Sequence, residues 1–340
     1  MSKKLRIGVV GGGSIARWCH IPGYAADPDC ELVALAEPCQ ISLDKLAQKG
    51  FKFERVYSDY KEMLANEKLD LVSVCTPNKF HAEVAIAALN AGCDLILEKP
   101  IALSMDEAYA IKAAMEKSGR RVAVGFSHRF EHMVREAKAA IQKGLIGEPF
   151  MIRVRFAHMG PQPGWATTEW FYKPEIAGGG AMLDMAVHCV DIIQFMLGKI
   201  TEITAITSTL RKPIAVDDNV VGVVKIGDRC MGYFEGGWTT LTGFGGIEIM
   251  GDNGSIVVDY AQGKVFSRSG VTKPDGTLTI NDEVIATAAT PKWTQEMQDF
   301  IAAFKNGTEL PATLEDGISA LKVTLAAYES SNTGKRIVIK

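Results

Sequence analysis

Several features are missing from this sequence, and each absence narrows its class. The seven cysteines (19, 30, 39, 75, 93, 189 and 230) are odd in number, far apart and never in a CxxC pair. Neither a disulfide framework nor a zinc knuckle fits that pattern, and reduced thiols in a cytoplasmic protein are expected. There is no basic patch: lysines and arginines stand singly or in pairs such as Lys3-Lys4 and Arg120-Arg121. Lys plus Arg total 37 against 40 Asp plus Glu, a net charge of −3, which offers nucleic acid or an anionic membrane no global attraction. Apolar runs are short as well. Basic residues lead into Ile7 to Val10, but glycine interrupts the run, unlike a signal peptide, and nothing approaches the roughly 18 apolar residues of a membrane span. Internal repeats and low-complexity tracts are also missing. What remains is globular: 340 residues, 47% hydrophobic and 23% charged, enough for about two domains. The one excess is 33 glycines.

Residues 1–125 alternate short β-branched runs with helical patterns. Leu5 to Val10, Glu31 to Ala36, Leu69 to Cys75, Asp94 to Leu97 and Val122 to Phe126 read as buried strands. Helices are predicted between them, as at Phe80 to Asn90 and at Ser104 to Ser118, the latter with a capping box (Ser104, Glu107) and a stop at Gly119. Such alternation implies right-handed βαβ crossovers and a doubly wound parallel sheet. Beyond residue 148 the strands lengthen and alternate: Phe150 to His158, Glu202 to Leu210, Asn219 to Ile226 and Cys230 to Trp238. Asn253-Gly254 predicts a hairpin. Helices are expected near Trp293 to Lys305 and Leu314 to Ser331. The expected fold is therefore α/β, with a nucleotide-binding domain over 1–125. An α+β domain carrying an open, mainly antiparallel sheet follows over 126–340.

The first strand runs into Gly11-Gly12-Gly13-Ser14-Ile15-Ala16, a GxGxxA pattern opening a helix. Gly11 permits the tight turn, Gly13 lets the backbone approach a pyrophosphate, and Ala16 lets helix and strand pack closely, so free N–H groups face the anion. Glu37 ends the second strand, 21 residues beyond Ala16, where a carboxylate accepts hydrogen bonds from ribose hydroxyls and repels a 2′-phosphate. No arginine follows in Pro38-Cys39-Gln40, which favours NAD over NADP. Gly11, Gly13, Ser14, Ile15, Ala16 and Glu37 are the cofactor contacts this predicts. Thr76, Pro77 and Asn78 end another strand and should border the same cofactor. Lys99, within Glu98-Lys99-Pro100, also ends a strand; a crevice ammonium and a solvated surface lysine both fit that position.

Three glycines, Gly178 to Gly180, precede an apolar run that predicts a helix of about 17 residues. Asp184 and His188 are four apart on it and share a face, as either a general base with its carboxylate or a plain helix pair. His128 to His132 fits the HxxEH spacing of some zinc peptidases, but it follows a strand end at the domain junction and lacks a long helix, so no metal is expected. Arg129 there is placed to close a cofactor or substrate cleft.

These pieces, in order, resemble the Gfo/Idh/MocA oxidoreductases over nearly the whole chain: the GxGxxA start, Thr76-Pro77-Asn78 with His81, Glu98-Lys99-Pro100, Gly125-Phe126 with Arg129-Phe130, and Gly178 to Asp191. The resemblance implies an N-terminal Rossmann domain and a C-terminal sheet used for dimer or tetramer contacts. It adds His81, Glu98 and Lys99 to the cofactor side. It also implies that Lys99 hydrogen-bonds the reacting oxygen, that His188 exchanges the proton, and that Asp184 orients the imidazole or binds a neighbouring hydroxyl. Arg129 and Trp165 join Lys99, Asp184 and His188 as substrate residues; Arg153, Arg155, His158, Trp170, Tyr172 and Lys173 fit a pocket, a sheet face or a subunit contact. Two departures stand out: no proline follows Arg129-Phe130, and Ala186 replaces the glycine of Asp-x-Gly-x-His. The function implied is NAD-dependent oxidation of a secondary hydroxyl of a sugar, inositol or related polyol. Glycoside hydrolysis through transient oxidation and a non-enzymatic cofactor sensor are the alternatives.

Overall fold

The computed structural model describes residues 4–161 and 168–340. They form two compact units, one of residues 1–127, 161–178 and 293–321, the other of residues 128–160, 179–292 and 322–340.

The first unit holds a six-stranded sheet of β1 (Leu5–Val10), β2 (Cys30–Ala36), β3 (Arg55–Tyr57), β4 (Leu71–Val74), β5 (Asp94–Leu97) and β6 (Val122–Val124). The order is β3-β2-β1-β4-β5-β6, all parallel, so strand order reverses between β1 and β4. This doubly wound arrangement puts a ligand crevice at the carboxyl ends of those two strands. Helices α1 (Ile21–Ala26), α2 (Gln40–Gln48), α3 (Tyr60–Asn66), α4 (His81–Asn90) and α5 (Met105–Ser118) complete the crossovers. The α5 cap differs slightly from expectation. Ser104 Oγ accepts from the Glu107 amide at 3.2 Å, but the Glu107 carboxylate reaches the Leu103 amide at 2.8 Å. Gly119, at φ +65°, ends the helix as predicted.

In the second unit α6 (His132–Gln142), which the HxxEH motif obscured, buries Met133, Val134, Ala137 and Ala140 on one face. Helix α7 (Pro174–Ala177) and α9 (Lys292–Asn306), apart from Lys292, belong to the first unit, α8 (Val187–Leu197) belongs to this one, and α10 (Leu314–Thr333) has residues in both. The nine strands of the second sheet are β7 (Pro149–Ala157), β8 (Ile200–Ser208), β9 (Asn219–Ile226), β10 (Cys230–Gly237), β11 (Phe244–Gly251), β12 (Gly254–Asp259), β13 (Lys264–Thr272), β14 (Leu278–Thr287) and β15 (Ile337–Val338). They run in the order β14-β13-β12-β11-β7-β10-β9-β8-β15, antiparallel throughout except for the parallel pair β7 and β10. On β7, Ile152, Val154 and Phe156 face the core. Arg153 and Arg155 alternate to the opposite face.

Two expectations are corrected here. The continuous helix predicted after Gly180 is a π-helical segment, Met182–Ala186, running into α8. And one helical stretch, Pro174–Leu197, is long and apolar enough by composition to cross a membrane, yet 78% of its most apolar window is buried inside the protein. It is a core segment.

Candidate functional site

In the first unit, β1 delivers the chain to Gly11 at φ +92°, a left-handed turn in which an added Cβ would lie 2.6 Å from the Cys75 carbonyl oxygen. Only glycine fits there. Gly13 is the opposite case, since a Cβ on it would meet one atom, Cys75 O, at 3.9 Å. The space above Gly13 is open for a ligand to approach the backbone. The helix that follows continues as a π segment, Ala16–His20, in which Ala16 is fully buried. Ser14 and Ile15 form its first turn. Glu37 is buried, and its Oε2 accepts from the Gly12 amide at 2.6 Å while Oε1 accepts from the Cys39 amide at 2.7 Å. The carboxylate thus ties the glycine loop to the end of β2.

Arg17 was not singled out by the motif, although it directly follows Ala16. Its buried guanidinium donates to Gly12 O at 3.0 Å and to Ser14 Oγ at 3.1 Å. Burial lowers its pKa, and the nearby Glu37 charge opposes that shift.

Beyond β4, Thr76 Oγ1 is buried with no hydrogen-bond partner among the described residues. A buried hydroxyl in that condition costs free energy unless a ligand engages it, so the loop fits a polar cofactor edge. Pro77 follows it. Asn78 turns its amide to Ala177 O at 2.9 Å. His81 is fully buried, with Nδ1 2.6 Å from Pro100 O and Nε2 2.8 Å from Thr76 O. Burial lowers its pKa against the pull of those two carbonyls. The ring therefore braces the Thr76 loop against Pro100, with both nitrogens already taken. Glu98 is likewise engaged internally: Oε1 meets His20 Nε2 at 2.9 Å, and His20 Nδ1 meets Ser73 Oγ at 2.9 Å. Tyr24 completes this buried chain at 2.7 Å from Ser73 Oγ. His20 and Ser73 lie 53 positions apart, so no local motif announces them. Lys99, half-buried, follows β5, and the Lys99–Pro100 peptide is cis.

In the second unit, Gly180 opens the segment carrying Asp184. Its amide donates to Asp217 Oδ1 at 2.8 Å, and the Met182 amide donates to Asp217 Oδ2 at 2.8 Å. Tyr328 supplies a third donor to Asp217 at 2.7 Å. An added Cβ on Gly180 would stand 1.8 Å from Asp217 O, which explains this glycine. Asp184 Oδ2 accepts from the indole of buried Trp238 at 3.1 Å. Four residues on, His188 is buried on α8, its ring centroid 4.8 Å from that of His128. Between them Ala186 packs against Gly236, where an added Cβ would lie 2.8 Å from the Ala186 methyl. The departure at Ala186 is thus matched by a glycine on β10.

Arg129 is paired within the second unit. Its Nε lies 2.8 and 3.1 Å from the two Asp191 oxygens and its Nη2 2.6 Å from Oδ1, all buried, and the guanidinium sits 5.0 Å from the Phe195 ring centroid. Its charge is held by α8. Trp165 lies outside the described residues. Arg153 and Arg155 pair with Glu248 and Glu235 across the sheet, His158 Nδ1 accepts from the Gly160 amide, and Trp170 stacks on Phe171. Among the described residues no three His, Cys, Asp or Glu are grouped to hold a metal ion.

Comparison with known proteins fits this geometry. Residues 5–126 match the model of an oxidoreductase family with an NAD-binding Rossmann fold, and residues 134–257 match the GFO/IDH/MocA C-terminal domain. D-glucoside 3-dehydrogenase of Escherichia coli is 27% identical, over 99% of this chain and 98% of its own. Levoglucosan dehydrogenase of Pseudarthrobacter phenanthrenivorans is 28% identical over 76% and 74%. A structure of a levoglucosan dehydrogenase with NADH and levoglucosan superposes with a TM-score of 0.86 at 24% identity, covering 99% of this chain and 100% of that one, a likeness of fold.

Proposed function

Because the chain belongs to the Gfo/Idh/MocA oxidoreductase family, we propose that it is an NAD-dependent dehydrogenase oxidising a secondary hydroxyl of a sugar, inositol or related polyol, or reducing the corresponding ketone. The observation that carries this is the cradle. Gly13 is open, Thr76 Oγ1 has no hydrogen-bond partner among the described residues, and Glu37 is fastened at the end of β2, next to the strand β1 at which the sheet order reverses. Backbone N–H groups after Gly11 and Gly13 hold the pyrophosphate, and Glu37 accepts from the ribose hydroxyls. When bound, the nicotinamide takes up or returns the hydride.

The protein's own side chains handle the proton. Lys99 donates a hydrogen bond to the reacting oxygen, His188 removes the alcohol proton, and Asp184, fixed by Trp238, orients the imidazole or holds a neighbouring hydroxyl. Residues 1–125 bind the nucleotide, and residues 126–340 the substrate. The cyclic sugars named for the two dehydrogenase relatives support the substrate class. Incubation with NAD and a panel of inositols, aldoses, amino sugars and sugar acids tests the reading. Sustained NADH formation supports it; glycoside cleavage without net NADH, or NAD binding with no turnover, overturns it.

The working form is a cytoplasmic homodimer or homotetramer, with no nucleic acid or membrane partner. Seven free cysteines suit a reducing compartment. Ile206, Val221 and Val223 are at least half exposed on the outer face of the second sheet, an apolar patch suited to another copy. Light scattering on the purified protein distinguishes monomer from oligomer.

A further inference from the structure

Behind His188 lies a group of side chains that the reaction does not use. His128 is buried against Phe156, with ring centroids 4.2 Å apart, and its Nε2 lies 3.1 Å from the Lys292 ammonium at the head of α9. An ammonium has only protons to give, so Nε2 is an acceptor and His128 is neutral, with its proton on Nδ1. That nitrogen points at Tyr260 Oη, 3.5 Å away at the outer limit of a hydrogen bond. Burial holds the Tyr260 phenol well above its ordinary range, so it remains protonated. On the far side of Lys292 stands Glu131, 3.9 Å from the ammonium.

We infer that Lys292, acting through neutral His128 and balanced by Glu131, sets the protonation of His188 and keeps it in the form that accepts a proton. His128 and Lys292 are thus positioning residues for the proton transfer, and the inference rests on His188 being its base. The reasoning is electrostatic. His188 and His128 are almost wholly buried, so a cation one ring away is weakly screened and makes a second positive charge on His188 costly. An ionised Glu131 works in the opposite sense. Among the described residues, the other titratable or charged groups near the pair in the chain or in contact with it include Asp184 and Cys189 on the segment that carries His188, the paired Arg129 and Asp191, and Tyr260. Arg153, Arg155 and Glu235 occupy the opposite sheet face.

Charge control, unlike a merely structural role, predicts shifts of opposite sign. In protein labelled at histidine Cε1, the His188 signal, assigned with His188→Asn, is titrated by NMR without cofactor or substrate. Lys292→Met should raise its midpoint by about half a pH unit or more, and Glu131→Gln should lower it. Lys292→Arg, which keeps the charge, should leave it unchanged. Should Lys292→Met fold poorly, Glu131→Gln still decides. Midpoints that stay put or move in the same direction in both charge variants overturn the inference. NADH formation undiminished in His188→Asn would instead overturn the base assignment while leaving the titration result standing.

Discussion

The two halves are built by different means. The nucleotide half is largely made of backbone: a left-handed glycine, an open glycine and a carboxylate clasping two amides within one βαβ unit. In the second unit, side chains are held by partners far along the chain, Asp217 on Gly180, Trp238 on Asp184 and Asp191 on Arg129. A backbone cradle suits a cofactor shared by many enzymes, while side-chain clamps let substrate contacts vary on a fixed frame.

That contrast can be broken at several points. The largest effect belongs to the clamp: Arg129→Met should destabilise the fold by about 3–5 kcal/mol, read by denaturant unfolding, because the buried Asp191 carboxylate loses the guanidinium that pairs with it. A cost under about 1 kcal/mol would mean that the pair is not structurally important. Next comes chemistry. Lys99→Ala and His188→Ala should each lower turnover at least about a hundredfold while NAD still binds in a calorimeter. Near-normal rates in both would remove them from the reaction.

The cradle is tested by cofactor choice. The wild-type protein should prefer NAD to NADP by about tenfold or more in kcat/KM, roughly 1.4 kcal/mol, and Glu37→Gln should narrow the gap. The smallest effect concerns Asp218, which braces the loop after β8. Burial pushes its carboxyl up, but the amides of Leu210, Lys212 and Arg211 and the Asn219 side chain outweigh this and hold it below the usual range. A lowered folded-state value gives stability that is complete above the unfolded value, about 3.9, and is lost as pH falls through the folded one. Asp218→Asn should therefore cost about 1–3 kcal/mol at neutral pH, with the gap in Tm from wild type closing in acid. An unchanging gap would assign the effect to shape alone.

The same contrast explains what was legible in the sequence. Five parallel strands, the glycine turn and Glu37 were readable because each signal lies within a few tens of residues and repeats a hydrophobic period. β3 and β14 were not, for β3 has three residues, none buried, and β14 buries none of its ten. No inward-facing apolar rhythm marks either strand. Asp184 and His188 were visible as a spacing, but the π segment, Asp217 and the Arg129 pair depend on contacts across tens of residues. The partner of Arg129, Asp191, stands 62 positions further on, where no local motif marks it.

The proposed reaction is oxidation of a polyol hydroxyl with NAD, in which His188 takes the proton. The most direct test follows NADH formation by the wild-type protein and His188→Ala across the polyol panel, with NAD binding measured for both. Sustained NADH from at least one polyol, lost in a variant that still binds NAD, is the predicted result; no NADH from any polyol, or equal rates in both proteins, would contradict it.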